Sequence, residues 1–361
     1  MARRESDAGD CKRGGMVKTV RMRIRLPLAG LFLCGATLAH AWYEPGHRMI
    51  NQLALDSLPA DFPSWVREPA NAERIVFLSQ EPDRWRRTSS ALLQHANGLD
   101  HFVNLDQIED AGIDLATLTP FRYEFVEAYA GGRAAHPDRL PAPDPVRNRD
   151  HSLEWPGFLP WAIAEYYAKL ETEFSYLKTY EAYGTPAEVA NARANVIYVM
   201  GVMGHFVGDG SQPLHVTKQH AGWVGPNPHG YPTQDFHALV DGAFIAKAGI
   251  TLAELTPLVT PARPLALEPR PDGRDPSFAD VMAYLEATRR TLDPLYRLVQ
   301  THQLEEAGPG SRAGRAFFDE RLLAGGQMLG SLWLTAWQQA APDRVLRGVL
   351  LQRAASQNRP H

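Results

Sequence analysis

Residues 202–215, VMGHFVGDGSQPLH, set two histidines and an aspartate where they could share one ion. His205 and Asp209 stand four apart at the end of an apolar run, so a helix carries both on one face, one turn apart. Gly208, Gly210 and Pro213 then break the run, and His215 follows Asp209 by six residues. Two imidazoles and a carboxylate converging across a helix end suit zinc, which takes nitrogen and oxygen donors. The competing reading is a core helix whose polar end is merely hydrogen-bonded. Other segments repeat the chemistry. FHALVD places His237 and Asp241 at the same four-residue spacing, LDHFVNLD offers His101, and SQEPDRWRR offers Asp83 among arginines. WYEPGH opens the series with Trp42 and His47.

The elements that must position these residues read as helices. Apolar residues recur at helical spacing over 45–58, 72–78, 159–180 and 186–208, with Pro186 in a first turn. Residues 92–106 mix a helical start with the loop-like HFVNLD. Residues 131–158 are rich in Gly, Pro, Arg and Asp and read as a long surface loop. Residues 219–234 form a Gly/Pro/Asn loop with two more histidines, and 236–249 are helical again. Residues 257–276 are proline-rich, and 276–302 and 311–341 read as long helices. No alternating strand pattern, repeat or interdomain linker interrupts this order. The expectation is one all-α domain with long loops over 42–341, followed by a basic tail, 342–361, of a kind that can be disordered.

The first 41 residues read differently. Arg21, Arg23 and Arg25 precede the apolar run 26–39, and Ala39-His40-Ala41 puts small residues at the two positions a signal peptidase reads. This is the pattern of a secretory signal peptide cut before Trp42, with Met22 an alternative start. The run is shorter than the ~20 residues a membrane span needs, so no anchor is expected in the mature chain. A secreted or periplasmic location follows. Both cysteines, Cys11 and Cys34, leave with that segment, so neither disulfides nor thiolate ligands are expected. So do eight Lys/Arg and three Asp/Glu, leaving 29 basic against 38 acidic residues. Such a chain has no basic stripe for nucleic acid. If phosphate esters are its substrates, metal must supply the positive charge.

Taken together, Trp42 with His47, Asp83, His101, His205-x3-Asp209-x5-His215 and His237-x3-Asp241 resemble the trinuclear zinc superfamily of single-strand-specific nucleases (the S-one/P-one type) and bacterial phospholipases C. The resemblance covers Trp42 to about Asp241, and HFVGDGSQPLHV is its most specific part. It implies an all-α fold and three Zn2+ ions. One would take Asp83, His101, His205 and Asp209. A second would take the Trp42 α-amine and carbonyl, His47 and Asp209, the bridging carboxylate. A third would take His215, His237 and Asp241. Arg86 matches the place where the nucleases carry a basic residue facing the phosphate, where a guanidinium stabilises transition-state charge. Asp83 is a candidate proton acceptor besides being a ligand. His220 and His229 could touch substrate or simply be solvated.

The two branches of that superfamily leave different traces. The five-residue spacing from Trp42 to His47, an Asp at 241 and Arg86 favour a nuclease. Gly242 stands where the nucleases tend to carry a base-reading Asn, and their Gly-Gly-Asn run is replaced by GWVGPNPHGYPTQ. The LPWAIAEYYAKL helix and HFVNLD have a phospholipase character. Against that, Pro45, Arg84 and Gly98 occupy the positions of the choline cage. The expectation is a secreted zinc-dependent endonuclease preferring single-stranded DNA or RNA. The alternatives are a phospholipase C acting on phospholipid head groups and a non-catalytic zinc-binding protein. Trp223, Tyr231, Phe102 and Phe236 are candidates for stacking bases. No stable protein partner is inferred.

Overall fold

One stretch of helix sets the architecture. Every residue from 199 to the helix's end at Ser211 is buried, and so are the residues that follow to 217, so this half of the helix belongs inside a bundle. The computed structural model describes Trp42 and residues 44–270, 273–305 and 311–357. Over these residues the protein is all-α, with no strand and a single isolated bridge between His220 and Gly222. The first part holds α1 Glu44–Ser57, α2 Pro69–Leu78, α3 Glu81–Arg86, α4 Ala91–Gly98, α5 Leu105–Asp110 and α6 Arg122–Ala135. The long α7 Leu159–Tyr183 and α8 Pro186–Ser211 follow. A π-helical turn, Leu239–Ala243, leads into α9 Phe244–Ala248, and then comes α10 Leu252–Leu255. The last described helices are α11 Pro276–Arg289, α12 Leu292–Gln300, α13 Arg312–Gln339 and α14 Arg344–Gln357.

α8 is the axis, packed against α7, α13, α2 and α1. Its start is fixed by a capping box, in which the Thr185 hydroxyl accepts from the Glu188 N–H while the Glu188 carboxylate accepts from the Thr185 N–H. Its buried half is smooth enough for α1 to lie directly on it. A Cβ at Gly204 would fall 1.8 Å from Asn51 Oδ1. Asn51 uses that closeness: its amide donates to the Ile75 carbonyl at 2.9 Å and to the Gly201 carbonyl at 3.1 Å, stitching α1 to α2 and α8.

Three parts differ from the expectation. Residues 276–302 are two helices, because Pro294 has no N–H for the Arg290 carbonyl and its ring crowds that carbonyl. The expected loop over 131–158 begins only after α6 ends at Ala135. Most of the segment read as a tail is α14, tied to the start of α8 where Arg353 donates to both Glu188 oxygens at 2.7 and 3.0 Å. The expected signal peptide, 1–41, lies outside the described residues. Among the described residues no helix is long and apolar enough to cross a membrane.

Candidate metal centre

All eight side chains expected to bind metal converge at the end of α8, in three buried groups. His47, His205 and Asp209 form one, Asp83, His101 and His205 a second, and His215, His237 and Asp241 a third. The supply lines are short elements. α1 carries His47, α3 carries Asp83, and a 3-10 turn Leu99–His101 delivers His101. A second 3-10 turn, Pro213–Val216, carries His215, and Asp241 lies in the π-helical turn. π-Helical turns are rare and concentrate at functional sites.

The geometry can be compared with a tetrahedral zinc site, whose ligand atoms, each ~2 Å from the ion, lie about 3.3 Å apart. Asp209 Oδ2 is 3.1 Å from His101 Nδ1 and 3.3 Å from His205 Nε2. Its other oxygen, Oδ1, is 3.4 Å from His47 Nε2. The carboxylate therefore faces two donor groups with two oxygens, as a bridging ligand must. In the third group, His237 Nε2 lies 3.2 Å from both His215 Nε2 and Asp241 Oδ2. Asp241 Oδ2 is buried and accepts no hydrogen bond.

The far sides of two rings fix which nitrogen is available. His205 Nδ1 donates to the Ser79 carbonyl and His215 Nδ1 to the His101 carbonyl, both at 2.7 Å. A carbonyl can only accept, so in the neutral rings Nε2 is the lone-pair nitrogen, and it points into the cluster. Burial pushes His101 and His215 down to about 3 and lowers His47 as well, so these rings are neutral donors at pH 7. Burial alone would raise Asp209, but His205, His101 and His47 outweigh it and hold its carboxyl well below the usual range. Burial likewise disfavours a proton on His205, yet Asp209 and Asp83 overcome it and raise its pKa. Two buried carboxylates thus demand a positive charge between them. A proton on His205 meets that demand, and a bound cation would displace it.

Asp83 is held differently. Arg86 Nε donates to its Oδ1 at 2.8 Å, and Arg87 pairs with its Oδ2. Oδ1 stays 3.9 Å from His205 Nε2 and 4.0 Å from His101 Nδ1, slightly wider than the other ligand edges. Burial opposes its charge, but His205 and Arg86 prevail and hold the carboxyl well below the ordinary range. Such a carboxylate is a good anion and a poor proton acceptor. Beyond burial, the Arg86 charge adds to the lowering of His101 and His215; burial raises Asp241, and Arg86 only opposes that rise.

No protein-family model, curated protein or solved structure matches this chain.

Trp42 reaches the same region by its side chain: the indole N–H donates to the Gly208 carbonyl and the Ser211 hydroxyl, both at 2.9 Å. His220 is an exposed neighbour, its ring 6.1 Å from that of His237. His229 lies tilted beside Tyr231, ring centres 5.3 Å apart, and joins no group among the described residues. Among the proposed stacking aromatics, Tyr231 is buried, wedged between Trp223 and Tyr296, and Phe236 packs edge-on against Tyr296. Trp223, Phe102 and Phe236 are each partly exposed.

Several residues that hold the ligands carry no signal of metal chemistry. Asp106 accepts from the Thr217 hydroxyl at 2.8 Å and the Lys218 N–H at 2.9 Å. The Val103 N–H donates to the His215 carbonyl at 2.9 Å. HFVNLD is thereby laced to PLHVTK, which puts His101 beside His215. Gly157, at φ +91°, lies so close to this turn that a Cβ would sit 2.1 Å from the Phe102 carbonyl oxygen. Burial of a polar side chain was the missing clue, and spacing alone does not reveal it.

Proposed function

We propose that this chain is a secreted phosphodiesterase using three zinc ions, acting on single-stranded nucleic acid first and phospholipid second. The observation that carries the reading is Asp209, whose two oxygens face separate donor groups while Arg86 stands beside them. The donor set is histidine and carboxylate with no thiolate, which suits zinc at a hydrolytic centre. Bound there, zinc ions would lower the pKa of a water and neutralise charge on the phosphoryl and leaving oxygens.

The chain's own residues supply the rest. His205 and His215 are oriented by backbone carbonyls, so their Nε2 atoms need no reorganisation to bind. Asp83 anchors Arg86, whose guanidinium would pair with a phosphate oxygen and favour the more highly charged transition state. The third group has only three side-chain donors, which leaves room for substrate or water and disfavours a closed storage site. A guanidinium among metal ligands is also of no use to a zinc buffer.

The test is a single preparation of chain beginning at Trp42, measured for zinc by elemental analysis and assayed side by side on single-stranded DNA, RNA, duplex DNA and phosphatidylcholine. Close to three zinc ions with rapid cleavage of single strands and slow cleavage of duplex is expected, because paired bases cannot splay into a recessed site. Lipid cleavage without nuclease activity would reverse the substrate ranking. Zinc binding with no hydrolysis of any of these would favour the storage reading.

A further inference from the structure

Gln212 touches three of the candidate ligands. It is fully buried at the end of α8, in the extended conformation that a following proline enforces. Its N–H donates to the Asp209 carbonyl at 3.0 Å, and its carbonyl accepts from the His215 N–H at 3.0 Å. Its side-chain Nε2 donates to Asp241 Oδ1 at 2.6 Å, while Oε1 accepts from the Leu214 N–H at 2.5 Å. The Leu214 N–H can only donate, so the amide has one orientation, with its NH2 toward the carboxylate. One oxygen of Asp241 is thereby satisfied, and the other, Oδ2, is presented to His237 with no hydrogen bond of its own.

We propose that Gln212 is the positioning residue of the third group: its amide aims Asp241 at the ion shared with His215 and His237, and its backbone locks that group to Asp209. The inference rests on the metal-centre reading and adds to it a residue outside the ligand set. Asp241 needs such a partner more than the other carboxylates do. It comes from a single π-helical turn some thirty residues beyond α8, and Gln212 is the partner outside the candidate ligands that donates a hydrogen bond to it. A carboxylate held by a fixed donor keeps its direction. Losing an outer partner of this kind typically costs 10- to 100-fold in metal affinity.

The test uses the chain beginning at Trp42 with Gln212→Leu and Gln212→Glu, loaded with zinc and then titrated with a competing chelator. Gln212→Leu removes the donor, and Gln212→Glu keeps the reach while turning the donor into an acceptor. Thr335→Val, which loses buried hydrogen bonds in α13 away from the centre, is the control for general destabilisation. The expected result is that both Gln212 variants release one ion at about 10- to 100-fold lower chelator than wild type and keep the others, while Thr335→Val behaves as wild type. Substituting cobalt for zinc gives a second readout, because the visible absorption of the weakly held ion should be lost first. Wild-type retention of every ion by Gln212→Glu would overturn the role of the donor. Equal loss of all ions from the Gln212 variants would make the residue structural only. If wild type itself holds no ion at His215, His237 and Asp241, the metal reading fails and this inference falls with it.

Discussion

At the scale of single residues, the centre is an exercise in shared charge. Asp209 offers one oxygen to His47 and the other to His101 and His205, whereas Asp241 faces one group only. Asp209→Ala should therefore lose two ions together and Asp241→Ala one, read by elemental analysis after mild dialysis. Equal losses would remove the bridge from the scheme. Arg86 is the other asymmetric residue, because it pairs with the candidate ligand Asp83 and, in the proposed reaction, would also meet the substrate phosphate. Arg86→Ala should lower kcat by about tenfold to a thousandfold with a smaller rise in KM, since a guanidinium that acts on developing charge does little for ground-state binding. Steady-state kinetics on single-stranded DNA decides it, and a change confined to KM would demote Arg86 to a binding contact.

At the scale of elements, close approach does the positioning. Ala at 204 would press its methyl into the Asn51 amide and disturb both of that amide's hydrogen bonds. Gly204→Ala should cost about 2–3 kcal/mol in urea unfolding despite the better helix propensity of alanine. α14 is held more loosely. The Arg353 hydrogen bonds, foremost, bring Glu188 down to about 2 in the folded protein. A folded pKa below the unfolded one means the pair contributes above the ordinary carboxylate pKa and fades as pH falls from about 4.5 toward 2. Protection of the 344–357 amides against hydrogen exchange, relative to the intrinsic rate, should fall in that window, and Arg353→Ala should reduce the pH effect to the part that the Thr185 hydrogen bonds contribute.

The long helices and the two i, i+4 His/Asp pairs were legible in the sequence because both are periodic, whereas the full candidate set, His47, Asp83 and His101 included, came from the family resemblance. α7 and α8 appear within three residues of their expected ends, and each i, i+4 His/Asp pair meets as its spacing requires. The misses arose where tertiary packing overrides a local signal. Gly208 and Gly210 looked like helix breakers, but there the neighbours leave no space for a side chain, a Cβ lying 2.8 Å from His47 Nδ1 or from the Tyr284 ring. Pro294 did announce the break before α12, and the apolar period on both sides masked it. Gln212 and Asp106 were invisible because what a buried amide or carboxylate faces depends on the finished fold.

At the scale of the molecule, the candidate centre reconciles charge with task. Once residues 1–41 are set aside, acidic residues outnumber basic ones, so divalent ions would supply the attraction for a phosphate that the surface lacks. The ligand set also spans almost the whole first two-thirds of the chain beyond that segment, from His47 to Asp241. Only the third group is contained in neighbouring elements; the other two join His47, and Asp83 with His101, to His205 on α8, far along the chain. Closing such long loops is slow and comes late in folding, so a full shell of donors exists only once the bundle has formed. An ion would then act as a latch rather than a nucleus. Stabilisation absent from the folding transition state slows unfolding and leaves the folding rate alone. Stopped-flow measurements in denaturant, with and without zinc, should therefore shift the unfolding arm and leave the refolding arm in place. Zinc that accelerated refolding would mean that the donors meet early, before α8 is enclosed.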